Sequence, residues 1–84
     1  MPLPQAEFSG TPMSDAAPLD VTFSDLSTGD VTAWSWDFGD TSTSTLQDPT
    51  HRYTLEGTYE VELTVTGAVG SDVETKAGYI TVTP

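Results

Sequence analysis

The chain has 84 residues, no cysteine, and 13 acidic against 2 basic side chains, for a formal net charge of -11. That length holds one domain, which buries only about 60 to 65% of the surface its unfolded form exposes and leaves little room for a deep cleft between subdomains. Without thiols there is no disulfide framework or thiolate metal site, and without clustered cations nucleic acid and anionic membrane surfaces are excluded as partners.

In chain order, "MPLPQ" reads as an initiator Met placed before an excised segment, with residues 1–4 as linker and 1–84 as a single module cut from a longer protein. No apolar run approaches the roughly 20 residues of a membrane helix, and no signal peptide is visible. Helical periodicity appears nowhere, whereas alternation of strand-forming residues recurs. "AEFS" puts Ala6 and Phe8 on one face, "LDVTFSD" puts Leu19, Val21 and Phe23 inward, and "VTAWSWDF" gives Trp34, Trp36 and Phe38 one parity. "DTSTSTL" suits a short edge strand, and "PTHRY" sets His51 beside Tyr53. "GTYEVELTVTG" is the clearest half-buried strand, with Tyr59, Val61, Leu63 and Val65 inward and Glu60, Glu62, Thr64 and Thr66 outward. "YITV" closes the set with Ile80 and Val82 inward.

Turn signals separate these runs, among them "STGD", "GDTSTS", "LEGT", "AVGSD" and "KAG". About seven short strands with frequent turns predict an all-β fold, an immunoglobulin-like sandwich of two antiparallel sheets. Its expected core is Phe8, Val21, Phe23, Trp36, Phe38, Tyr53, Tyr59, Val61, Leu63, Val65, Ile80 and Val82. Acidic residues Glu60, Glu62, Asp72 and Glu74 are expected at outward positions, where they discourage edge pairing.

The ordered matches "WDFGD", then "DPTHRYTLEGTYEVELTVT", then "YITVT" resemble the polycystic kidney disease (PKD) domain family over the whole chain. The family hallmark is carried by Trp36, Asp37, Phe38, Gly39 and Asp40, followed by Pro49, His51 and Tyr53, then Gly57, Tyr59 and Val61. One departure is Thr41, which stands where the hallmark ends in Gly; if that position takes a positive φ, a β-branched residue must strain there or shift the turn. The resemblance implies a non-catalytic extracellular module of a secreted or cell-surface protein. It would serve as a spacer, as a contact between proteins, or as an accessory that engages a polysaccharide or fibrous substrate of a polymer-degrading enzyme. Neighbouring domains of the parent protein are the implied partners, and an isolated copy is expected to be monomeric.

The residues themselves are weighed on their chemistry. Trp36 takes the place of the central tryptophan of an immunoglobulin-like core. Trp34 either closes the end of the core or shows its ring to a polymer, which would make it a binding residue. Tyr79, of outward parity, is read first as an ordinary partly exposed side chain, with a second reading as a binding residue on a shallow surface with Ala33 and Ser35. Asp37 and Asp40 could in principle do acid-base work, but a turn on a small sandwich lacks a cleft, and backbone capping is the expected role. His51 is the only histidine; a triad with Asp48 can be imagined, yet nothing marks a nucleophile elbow. The resemblance places His51 in the structural Pro-x-His-x-Tyr segment. Asp25, Ser27 and Asp30 carry oxygens of the kind calcium takes, without the spacing of an EF-hand, so the loop is expected to be solvated and no cofactor is assigned.

Overall fold

The computed structural model describes residues 2–84; Met1, expected to be an initiator at the head of a linker, lies outside the described residues. Eight strands form: β1 (Phe8–Thr11), β2 (Ser14–Ala16), β3 (Leu19–Asp25), β4 (Ala33–Asp37), β5 (Thr43–Ser44), β6 (Thr50–Tyr53), β7 (Gly57–Gly67) and β8 (Gly70–Thr83). They build a three-stranded sheet in the order β1-β3-β6 and a five-stranded sheet in the order β2-β8-β7-β4-β5. The alternation that makes these segments strands also closes the sandwich, because each sheet can bury its apolar face only against the other.

Twelve apolar side chains fill the space between the sheets, among them Phe8, Val21, Phe23, Trp36, Tyr53, Leu63 and Ile80. Trp36 is fully buried and lies 5.1 Å from the Phe8 ring and 5.3 Å from that of Phe23, and its Nε1 donates to the Leu46 carbonyl at 2.8 Å. Leu19 is buried, while Tyr59 is only half-buried. Tyr59 leans on Tyr53, and its hydroxyl donates to the Leu55 carbonyl at 2.6 Å, so its phenol stays at the rim.

Several strands differ from the sequence reading. β2 pairs with β8 in parallel, through Ser14↔Thr81 and Ala16↔Thr83, so the larger sheet is mixed rather than wholly antiparallel. All three β2 residues are exposed, and no alternation marks such a strand in the sequence. β8 is far longer than "YITV", since "AVGSD" contributes only a two-residue tip to a long β7–β8 hairpin. "KAG" is not a turn: between the pairs Val61↔Lys76 and Tyr59↔Ile80, β8 carries Ala77, Gly78 and Tyr79 where β7 has Glu60 alone. Gly78 takes φ 61° in this bulge. Asp72 and Glu74 lie opposite the inward Val65 and Leu63, hence on the inner parity of β8 rather than its outer face. They sit at the edge facing the N-terminal segment, where Asp72 Oδ2 accepts the Ala6 N–H at 2.8 Å.

The molecule measures 46 × 19 × 19 Å along its principal axes. At one end Pro2 accepts a hydrogen bond from Asp30 N, and the nearest atom to an added Cβ on Gly70, in the β7–β8 hairpin, is one of the Leu3 side chain. β8 starts at that end and runs 14 residues to Thr83. At about 3.3 Å per residue that traverse is about 45 Å, the long dimension of the molecule.

Candidate functional site

The stretch from Trp34 to Asp40 leaves β4 and turns back, and three short hydrogen bonds define that turn. Asp37 Oδ1 accepts from Gly39 N at 3.0 Å, and Asp40 Oδ1 accepts from Ser42 N at 3.1 Å. Both are side-chain bonds to the backbone two residues on, the Asx-turn geometry. Phe38 N donates to Ser42 O at 3.1 Å and closes the corner.

Gly39 has φ 83°, and a Cβ there would stand 2.3 Å from the Glu60 carbonyl oxygen of β7. Thr41 has φ 76°, alone among the non-glycine residues described in taking a positive φ. Here the chain keeps its turn and strains the threonine.

His51 packs flat on Phe38, with ring centroids 4.3 Å apart and planes 6° from parallel, and Tyr53 meets its edge at 4.7 Å. Its Nε2 stands 2.7 Å from Asp40 Oδ2. The Tyr53 hydroxyl donates to the Phe38 carbonyl at 2.9 Å, and burial, followed by the nearby Asp40 carboxylate, pushes its pKa up. The hallmark residues therefore form one connected corner: Phe38 is held above by His51 and at its carbonyl by Tyr53, and Asp40 links His51 to the turn. A depression of about 230 Å³ beside it is lined by Asp40, Ser42, His51, Arg52 and Tyr59, among others.

The imagined triad does not assemble. Asp48 Oδ1 accepts from Asp25 N at 2.8 Å, far from the role of orienting His51, which faces Asp40 instead. Among the described residues no hydroxyl is hydrogen-bonded to the imidazole, so His51 has no serine or threonine to activate.

Trp34 is half-buried against the core, and its Nε1 donates to Asp25 Oδ2 at 2.8 Å. Tyr79 does not share a surface with Ala33 and Ser35. The bulge swings it across to β1, where its hydroxyl accepts from Gly10 N at 3.0 Å and its ring meets Phe8 at 5.6 Å. Lys76 completes that seam: Nζ lies 3.0 Å from Glu7 Oε1 and 5.2 Å from the Phe8 ring centroid. No local pattern announces this contact, since it joins residues from opposite ends of the chain.

Asp25, Ser27 and Asp30 do not converge as a cage. Asp25 Oδ1 accepts from Ser27 N at 2.9 Å, Oδ2 accepts from Trp34 and from Gln47, and Ser27 Oγ donates to the Glu7 carbonyl at 3.2 Å. Asp30 Oδ2 is shielded from solvent and has no hydrogen-bond partner among the described residues. Among the described residues, no three His, Asp or Glu side chains are grouped so as to hold a metal. Partial burial works to raise the Asp25 carboxyl, but the bonds from Ser27, Trp34 and Gln47 together hold it below the ordinary aspartate range.

Comparisons with known proteins bear on this geometry. The profile of the PKD domain family matches residues 2–82. A microbial collagenase of Vibrio alginolyticus is 52% identical over 42 residues, which are 50% of this chain and 5% of that protein, so the chain spans a small fraction of the enzyme it matches. The crystal structure of the PKD1 domain of the Vibrio cholerae metalloprotease PrtV superimposes with a TM-score of 0.79 at 35% identity, covering 96% of this chain and 98% of that one. A structure described as a study of carbohydrate-binding modules from the β-sandwich superfamily gives a TM-score of 0.84 at 33% identity, over 95% of this chain and 34% of that one. The corner built on Trp36, Phe38, His51 and Tyr53 is thus seated in a sandwich that these relatives share, and the chain belongs to the PKD domain family.

Proposed function

We propose that this domain is a non-catalytic spacer and interaction module of a secreted or cell-surface protein, holding the chain before it and the chain after it about 45 Å apart. The observation that carries this reading is the placement of the two ends, with Leu3 against the β7–β8 hairpin and Thr83 at the far end of a 46 Å molecule. A relative named as a collagenase supports a location outside the cell, where collagen fibres lie. The net charge of -11 keeps such a surface soluble.

The test uses a small folded domain fused to each end, with one spin label at each junction; the absence of native cysteine makes the labelling clean. Dipolar spectroscopy should return one narrow peak. A glycine-serine tether of equal length has a similar mean separation, about 50 Å, but a broad distribution. A width equal to that of the tether would remove the spacer reading.

A second reading, an accessory that rests on a polymer, is favoured by one surface. The outer face of the three-stranded sheet aligns Thr11, Thr22 and Thr50 in one cross-strand row and Ser9 with Ser24 in the next. Asp20 and Arg52 neutralise each other there, at 2.8 Å. A hydroxyl-lined face whose Asp20 and Arg52 charges cancel, on so acidic a chain, suits hydrogen bonding to a neutral fibre or polysaccharide. Trp34 is the other candidate contact, although its indole N–H is already engaged. Retention of the parent domain on insoluble collagen, chitin or cellulose, reduced at least about tenfold by Thr22→Glu, is the expected result. If none of the three polymers retains the parent, this reading is wrong.

A further inference from the structure

Residues 2–7 lie outside both sheets, yet they are fastened along the loop that follows β3. Gln5 and Thr28 exchange backbone hydrogen bonds at 2.9 and 3.0 Å, Leu26 N donates to Glu7 O at 2.9 Å, and Asp30 N donates to Pro2 O at 3.1 Å. Ser27 adds a reciprocal pair: Glu7 N donates to its Oγ at 3.1 Å, and that Oγ donates to Glu7 O at 3.2 Å. A surface loop of this kind offers a firm seat only if something fixes the loop itself.

Asp25 supplies that anchor. Its carboxylate takes the Ser27 N–H on one oxygen, at 2.9 Å. The other oxygen takes the Trp34 indole N–H at 2.8 Å and the Gln47 amide at 3.2 Å. Its own N–H is held by Asp48 Oδ1 at 2.8 Å. One side chain at the end of β3 therefore ties the loop to β4 in the opposite sheet and to the segment between β5 and β6.

We infer that Asp25 is a positioning residue that latches the N-terminal segment through Ser27 and Trp34, and so fixes the direction from which the preceding chain approaches the domain. The inference rests on the spacer reading and deepens it, since a spacer transmits orientation only if its first residues are held. The chemistry requires an aspartate. An ionised carboxylate accepts on both oxygens, whereas an amide presents one acceptor and one donor, and the donor would confront an N–H of Ser27, Trp34 or Gln47.

Amide hydrogen exchange of the domain, followed by NMR, reads the latch directly. In Asp25→Asn the amides of Gln5, Glu7, Leu26 and Thr28 should lose protection by about tenfold or more, while Val61 and Leu63 in β7 keep theirs. Trp34→Phe retains a ring but drops the indole N–H and should loosen the same amides to a smaller degree. Ser27→Ala should act chiefly at Glu7. Unchanged protection in Asp25→Asn would overturn the inference, and so would a loss spread evenly into β7, which would mark a general stability residue. Should Asp25→Asn fail to fold, Trp34→Phe and Ser27→Ala decide the matter by the same local-against-global comparison. Exchange on the isolated domain is independent of the separation between fused domains, so failure of the latch and failure of the spacer reading give different results.

Discussion

Replacing Trp36 with alanine should destabilise the domain by about 4 kcal/mol, a large part of the 5 to 10 kcal/mol on the order of which a domain this small is stable. The indole is completely buried, and three aromatic rings, Phe8, Phe23 and Phe38, pack within 6.2 Å of its centroid. Deleting it removes the transfer free energy of the ring and leaves a cavity that two sheets pinned by backbone ladders cannot close. The Leu46 carbonyl also loses its donor. Trp36→Phe restores part of the volume without the N–H and should fall between, at about 2 kcal/mol. Urea unfolding followed through Trp34, the remaining tryptophan, measures both. An unfolding free energy of Trp36→Ala within about 0.5 kcal/mol of the parent's would contradict the packing account.

The core was legible because parity is a direct consequence of the pleat. Val21 and Phe23, Trp36 and Phe38, and Val61, Leu63 and Val65 each announce a buried face by alternation alone. Parity fails where the backbone departs from two residues per repeat. That rule puts Tyr79 on the outer face, and the bulge at Gly78 turns it toward β1. β2 and the first half of β8 were illegible for another reason. They pair through backbone groups, and their side chains are exposed or charged, so hydrophobicity gives no periodic signal. The candidate site divides the same way. The Asx bonds of Asp37 and Asp40 are local, spanning two residues, and sequence reasoning reaches them. The bonds of Asp25 to Trp34 and Gln47, and of Lys76 to Glu7, depend on how the sheets are laid together, and one chain read by itself carries no trace of them.

Within the corner after Phe38, two substitutions should move stability in opposite directions, and together they test whether strain is concentrated at Thr41. Gly39→Ala is expected to destabilise by about 3 kcal/mol or more. At φ 83° an alanine pays the left-handed penalty, and its methyl would meet the Glu60 carbonyl oxygen at 2.3 Å, a backbone atom of a central strand that cannot turn aside. Relief requires the turn to lift away from β7, which breaks the contact of Asp40 with His51 and loosens the ring stacked on Phe38. Thr41→Gly should stabilise instead. Its φ of 76° costs a β-branched residue about 1 to 2 kcal/mol, and the extra freedom of glycine in the unfolded chain returns about 0.5 to 1 kcal/mol of that. The net gain, about 0.5 to 1 kcal/mol, corresponds to a rise in Tm of roughly 3 to 6 °C for a domain of this size. Thermal melts of the two variants beside the parent suffice. A lower Tm for Thr41→Gly would show that the threonine side chain holds the turn and that its positive φ is compensated locally. The turn would then be stabilised from within, and the chain's departure from the family hallmark would be an adaptation of that turn rather than a strain borne by its surroundings.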